Sequence, residues 1–253
     1  MQKPTFTDNS VYHIFNRGVE KRDIFLDPSY YSRWIDTIYH CLNYNYPYSI
    51  LKRRLEKART PQDKQIVLSQ LEMKRIHPPV EVISLCLMPN HYHLTLKQLV
   101  GSGLTTFMHR IGTAYTNYFN LRQGRVGRLF ETRFKAVWVE SDQQLLHLTR
   151  YQHINPSKLG RNTLEDLVNY PWSSLSDYLG KPRFSFINPE LVLSAFSNPE
   201  KTYSDFILAE IDEFEPLRMY KTTIDDDFGW FAELHALEKE QREQLRQRYL
   251  EIP

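Results

Sequence analysis

An α+β fold is predicted for this 253-residue chain from three observations. Four short apolar or alternating runs read as strands: Val11 to Asn16, Val80 to Leu87, His91 to Lys97 and Arg133 to Glu140. A longer stretch carries Leu104, Phe107, Met108, Ile111, Tyr115, Tyr118 and Phe119 at helical spacing, a stripe suited to a core. Turn signals separate the runs, at Arg17-Gly18, Pro89-Asn90 and Gly101-Ser102-Gly103.

The remaining elements follow in order. Asp27-Pro28 reads as an N-cap and a first-turn proline, opening a helix that runs to about Tyr44. Residues 51–76 form a charged, helical insert with eight basic and three acidic side chains. Such a stretch is either a solvated surface hairpin or a contact for a nucleic-acid backbone. His77-Pro78-Pro79 ends it, and Pro89-Asn90 turns the second strand into the third. Asn120 to Arg128 is a loop rich in Arg and Gly. Ser141-Asp142 caps a helix that Asn155-Pro156 stops near Ile154. The order β-α-(insert)-β-β-α-β is that of a ferredoxin-like split βαβ: an antiparallel sheet with two helices on one face. The other face stays open until something covers it, and the helix of residues 141–154 is placed to do so. A catalytic domain is expected over 1–160, with a mostly helical accessory region over 161–253. Within that region Phe228-Gly229-Trp230 precedes a charged amphipathic helix to about Leu250.

Composition narrows the function. A hydrophobic content of 41% with no apolar run near ~18 residues excludes a membrane-spanning helix. The opening Met1-Gln2-Lys3-Pro4 has no apolar stretch of the signal-peptide kind, so a cytoplasmic protein is expected. Cys41 and Cys86 sit among apolar neighbours and read as buried free thiols. The net charge of +2 hides an asymmetry. Residues 1–186 hold 25 Lys and Arg against 15 Asp and Glu, while residues 187–253 hold 7 against 15. A body of +10 before a tail of −8 fits a polyanionic partner, or basic residues that merely solvate exposed helices. Sixteen tyrosines interleaved with arginines suit stacking on unpaired nucleic acid, and suit an ordinary core as well.

Chemistry concentrates in two places. In Met88-Pro89-Asn90-His91-Tyr92-His93-Leu94, strand alternation puts His91, His93 and Thr95 on one sheet face and Tyr92, Leu94 and Leu96 on the other. Two imidazoles so placed are either a hydrogen-bonded structural pair or two neutral ligands for one metal ion. About sixty residues on, His147, Tyr151 and Asn155 stand at i, i+4 and i+8 of the capped helix and share roughly one face. Beside the imidazoles, the Asn155 side-chain oxygen completes a ligand set for a divalent cation. The Tyr151 phenolate is then the group that attacks phosphorus.

Five ordered segments carry a family resemblance. They are Tyr12-His13-Ile14-Phe15-Asn16-Arg17-Gly18, the Met88–Leu94 run, Gly127-Arg128-Leu129-Phe130-Glu131-Thr132-Arg133-Phe134-Lys135, Arg150-Tyr151-Gln152-His153-Ile154-Asn155-Pro156, and Tyr170-Pro171-Trp172-Ser173-Ser174. Over about residues 11–180 the chain resembles HUH-type single-strand DNA transposases with one catalytic tyrosine, and more narrowly the REP-associated tyrosine transposases of bacteria. The resemblance implies that His91 and His93 ligate Mg²⁺ or Mn²⁺, with Asn155 third, and that Tyr151 is the nucleophile. It implies a 5′-phosphotyrosine link, a free 3′-hydroxyl, and a substrate of single-stranded DNA beside a hairpin. Tyr151 meets either the histidines of its own chain, as in the repeat-associated group, or those of a twin subunit, and the protein is a monomer or a homodimer. The 51–76 insert is longer than compact members of that family need, and the acidic tail has no assigned role.

Other residues fill out the expectation. Arg17, Arg125, Arg128, Arg133 and Lys135 are the candidate phosphate contacts, through charge and bidentate pairing. His13 faces the same open sheet side and His147 is a candidate base or alternative ligand. Tyr115 and Tyr118 lie on the apolar stripe and read as core, and His109 has no nameable partner. The whole reads as a metal-dependent endonuclease and strand transferase. A non-catalytic nucleic-acid-binding module on the same fold, or a phosphodiesterase in which water attacks, are its rivals.

Overall fold

The computed structural model describes residues 4–44, 48–73 and 75–220. Two compact units divide the chain, Met1–Leu208 and Ala209–Pro253. The expected amphipathic helix after Phe228 lies outside the described residues. Among the described residues no helix is long and apolar enough to cross a membrane.

A four-stranded antiparallel sheet organises the first unit. Its strands are β1 (Val11–Arg17), β2 (Val80–Met88), β3 (His91–Gln98) and β4 (Lys135–Trp138), in the spatial order β2-β3-β1-β4. This is the order of a split βαβ, and the expected α+β architecture is found. The fourth strand is shorter than its alternation predicts, because only positions 135 to 138 pair with β1.

Helices α1 (Pro28–Asn43) and α4 (Gly103–Arg122) cover one sheet face. The Asp27 side chain accepts from the Ser29 N–H at 2.8 Å, an N-cap worth about 1 kcal/mol. Between sheet and helices lie Tyr12, Ile14, Leu85, Leu87, Tyr92, Leu94 and Leu96 from the strands, with Trp34, Ile38, Phe107, Ile111 and Tyr115 from the helices. Trp34 is the hub, with ring centroids 4.6 Å from Tyr92 and 4.9 Å from Tyr115. Tyr115 is core as expected, its hydroxyl donating to the Ile24 carbonyl at 2.6 Å. Tyr118 packs partly buried on the same cluster.

The insert is two helices, α2 (Tyr48–Lys57) and α3 (Pro61–Glu72), the second opened by a capping box from Thr60 and Asp63. Both cysteines are free and buried.

A register shift in β2 determines the chemistry of the second face. Val82 pairs with Leu96 but Ser84 pairs with Thr95, so Ile83 is an extra residue. A one-residue bulge reverses strand alternation beyond it. Val80 and Val82 face α1 and α4, whereas Ser84, Cys86 and Met88 change sides and join the histidine face.

That second face is covered by α5 (Asp142–Ile154), capped by Ser141 accepting from the Gln144 N–H. Beyond the 3-10 turn Asn155–Leu159, three short helices follow: α6 (Leu164–Val168), α7 (Leu175–Tyr178) and α8 (Glu190–Leu193). The long α9 (Pro199–Tyr220) comes next. Residues 161–208 belong to the first unit, so the expected boundary at 160 falls inside it. Their turns supply hydrogen bonds to the outer edge of β2. Leu87 N–H donates to the Trp172 carbonyl, Ser174 N–H to the Leu85 carbonyl, and the Tyr170 hydroxyl to the Leu87 carbonyl at 2.6 Å. An edge strand that would otherwise stand open is thereby paired.

Candidate active site

The site is built on β3, where His91 and His93 point away from the α1–α4 core, as alternation requires. The turn that starts this strand is held firmly. The Pro89 carbonyl accepts from the N–H groups of Ile24 and Phe25 at 2.7 and 2.9 Å, and the Asn90 carbonyl accepts from Gly18 at 2.9 Å. Gly18 is required there, because a Cβ at that position would collide with the Arg22 carbonyl and the Ile24 side chain.

Both imidazoles are buried, and each has a neighbour at Nδ1. His91 Nδ1 lies 2.6 Å from Asn90 Oδ1, and His93 Nδ1 lies 2.9 Å from His13 Nε2. The two rings meet edge to face with centroids 5.0 Å apart. Occupied Nδ1 positions make Nε2 the nitrogen each ring would present to a metal, the way metal-binding histidines are usually oriented. Burial first, then His91, His13 and Lys158, hold His93 well below the ordinary histidine range, so it is a neutral donor at neutral pH. His13 is lowered to about 3 by burial.

Helix α5 is locked over these rings by polar contacts that the alternation pattern gave no hint of. Gln152 Nε2 donates to Thr95 Oγ1 at 2.9 Å, and Gln152 Oε1 accepts from Ser84 Oγ at 2.5 Å. The next residue, His153, lies 2.7 Å from the Tyr203 hydroxyl through Nδ1 and 2.9 Å from Ser174 Oγ through Nε2. Tyr151 immediately precedes these two anchors. Its ring stands 5.6 Å from that of His93, edge-on at 88°. It is half-buried, whereas Arg150, Gln152 and His153 around it are buried. Replacing Gln152 by Leu leaves Ser84 and Thr95 facing a hydrocarbon chain. We expect it to cost on the order of 1–3 kcal/mol in urea unfolding, with a drop in any Tyr151-dependent activity.

Asn155 keeps helical geometry despite the following proline, with φ −48 and ψ −36, and leads into the 3-10 turn. It is 2% exposed, and neither its Oδ1 nor its Nδ2 makes a hydrogen bond. A buried amide of this kind wants a ligand. Among the described residues no group of three His, Cys, Asp or Glu side chains is arranged to hold a metal. A cation here would depend on two imidazoles and the Asn155 amide. Two imidazole nitrogens and a buried, unsatisfied amide fit such a role.

Arg17 stands opposite His91 in the β1–β3 pairing. His147 lies 3.0 Å from Arg150 Nη2 and 5.9 Å from the Phe206 ring, with burial first and then Arg150 lowering it to about 4. Arg17 is buried and paired with Glu131 at 2.9 Å, and Lys135 reaches the same carboxylate at 3.7 Å. Arg125 donates to Asn120 Oδ1 at 2.7 Å and to the Arg128 carbonyl at 3.2 Å. Arg128 donates to the Glu131 carbonyl at 3.0 Å. Arg133 is exposed. Three residues at the centre were not singled out by spacing: Gln152, His153 and Lys158, whose ammonium stands 5.5 Å from the centroid of the Tyr151 ring.

No protein-family model matches the chain, and no curated protein matches it. Among solved structures it is similar to that of a REP-associated tyrosine transposase bound to a REP hairpin. The identity is 13%, over 75% of this chain and 92% of that one, with a TM-score of 0.45. So distant a likeness leaves the chemistry to be argued from this chain's own residues.

Proposed function

We propose that the protein is a tyrosine-nucleophile nuclease and strand transferase acting on single-stranded DNA beside a hairpin. The observation that carries this reading is the Tyr151 ring, half-exposed and edge-on to His93 at 5.6 Å, on a helix otherwise buried around it. The basic body of residues 1–186 supports a polyanionic substrate.

In the proposed reaction the Tyr151 hydroxyl attacks a backbone phosphorus. The Oη–P bond forms as the P–O3′ bond breaks, the phenolic proton passes to solvent, and the departing 3′ oxygen takes up a proton. The piece on the 3′ side of the break is then held through its 5′ phosphate as a phosphotyrosine, the other piece ends in a 3′-hydroxyl, and attack by a 3′-hydroxyl reverses the step to rejoin strands without ATP. His91, His93 and Asn155 would hold Mg²⁺ or Mn²⁺, which polarises the phosphodiester when bound. His13 and Asn90 orient the two imidazoles, and Gln152 and His153 fix the helix that carries the nucleophile. Tyr151 meets the histidines of its own chain, so a monomer suffices for this geometry.

The test is a labelled hairpin oligonucleotide with a single-stranded flank, incubated with protein and Mn²⁺ and run on a denaturing gel. A covalent protein–DNA band is expected. Free cleavage products with no such band, unchanged in Tyr151→Phe, would replace this reading by water attack; a gel shift with intact DNA would replace it by simple binding.

A further inference from the structure

Two arginines converge at the end of the sheet remote from the histidines. Met88 on β2 pairs with His91, and the run back from Met88 to Val82 spans about 20 Å at about 3.3 Å per residue. Beyond Asn43, the last residue of α1, the Tyr44 carbonyl accepts from both arginines. Arg75 donates through Nε at 3.0 Å, and Arg110 through Nη1 and Nη2 at 3.4 and 3.3 Å. Both residues are half-buried.

A carbonyl oxygen has two lone pairs, so three N–H groups over-subscribe it. One cation is enough to complement the C-terminal end of a helix, and a second beside it adds like-charge repulsion. Among the described residues neither guanidinium is paired with a carboxylate, and the two terminal nitrogens of Arg75 make no hydrogen bond. A guanidinium fork with donors to spare matches two oxygens of a phosphate, and a phosphate here would also offset the repulsion.

Arg75 lines a groove of about 430 Å³, together with Tyr39, Leu42, Val80, Leu99 and Phe186. The Glu81 carboxylate on the same lining accepts from the Asn188 side chain. A mostly apolar cleft of this size, with a few polar groups beside it, suits a planar organic group. Tyr39, 36% exposed, offers that group a ring to stack on.

We infer that Arg75 and Arg110 bind a phosphate of an unpaired nucleotide whose base enters this groove beside Tyr39. The charged insert then contributes Arg75 to strand binding. That the nucleotide belongs to a strand cut at Tyr151 rests on the proposed function; the binding itself does not.

Anisotropy of a labelled oligothymidine with the full chain, over a salt series and with a chelator present, tests this. Arg110→Gln is expected to weaken binding several-fold. It should also make the slope of log affinity against log salt shallower by about 0.7, the share of one phosphate contact on a single strand. Arg110→Lys, which keeps the charge, is expected to restore the slope. Arg110→Gln leaves Arg75 on the Tyr44 carbonyl, so its urea midpoint is expected to stay at the parent's. A strand of equal length without bases should bind the parent about five-fold more weakly or worse. Tyr39→Leu is expected to reduce that preference for bases and to leave the slope unchanged.

A slope unchanged in Arg110→Gln overturns the phosphate contact. A preference for bases unchanged in Tyr39→Leu overturns the groove as the place of the base. A covalent band from the parent protein with both results unchanged removes this inference alone. No band, with the slope change intact, removes the transesterification alone.

Discussion

Tyr151→Phe is expected to abolish the covalent protein–DNA band while leaving the fold and DNA affinity nearly unchanged. The substitution removes one oxygen from a half-buried ring. The edge-on packing against His93 and the cation over the ring are both available to phenylalanine. What disappears is the only atom of that side chain able to bond to phosphorus. Loss of a nucleophile typically costs on the order of a thousand-fold or more in rate. Band intensity over time, with unfolding curves for both proteins, checks it. A variant that still forms the adduct at more than a few per cent of the parent's rate would place the nucleophile elsewhere. Tyr115 could not then replace it, since its hydroxyl is committed to Ile24 inside the core.

The sheet was legible because it obeys local rules. Alternation in His91 to Lys97 places histidines on one face and Tyr92, Leu94 and Leu96 on the other, and the structure sorts them that way. The helix starts at Asp27 and Ser141 follow capping chemistry and came out within a residue. The Ile83 bulge was not legible, since an apolar run such as Val80 to Leu87 gives no alternation to interrupt. Its consequence is large, because it turns Ser84 toward Gln152 and so decides how α5 docks. The edge pairing of residues 170–174 was equally hidden. A backbone contact between segments about 85 residues apart leaves little trace in side-chain periodicity, although the Tyr170–Ser174 motif itself stood out.

In the candidate site, spacing identified His91, His93 and Tyr151, and the structure brings the latter two together. Charge alone did not show that Arg17, the candidate phosphate contact after β1, is paired with Glu131, 114 residues away. Helical position grouped His147 with Tyr151 but gave no sign of its contacts with Arg150 and Phe206. Lys158 escaped notice because it lies past the proline, where helical phase no longer says which way a side chain points.

Stability is expected to fall steeply in mild acid, driven chiefly by buried histidines. His153 and His13 are buried and neutral, each lowered to about 3 by burial from an ordinary value of 6.5. Between those values the unfolded chain binds a proton at each position that the folded chain excludes. Their contribution is therefore complete above about pH 6.5 and is lost as the pH falls toward 3. Each lowered histidine gives a slope of about 1.4 kcal/mol per pH unit, so the pair costs on the order of 4 kcal/mol by pH 5. Against a total of about 5–15 kcal/mol for a domain, that is enough to move the unfolding midpoint well down. His147, lowered to about 4, acts in the same sense, while the Asp177 carboxyl, pushed up by burial, acts in the opposite one. Urea unfolding of metal-free protein at pH 7.5 and pH 5 measures the difference. His153→Gln keeps hydrogen-bonding atoms for Ser174 and Tyr203 but cannot take up the proton. It should cost stability at pH 7.5 yet lose about 2 kcal/mol less between the two pH values. An equal drop in parent and variant would mean that His153 already meets water, and with it that α5 is not seated on the sheet firmly enough to aim Tyr151.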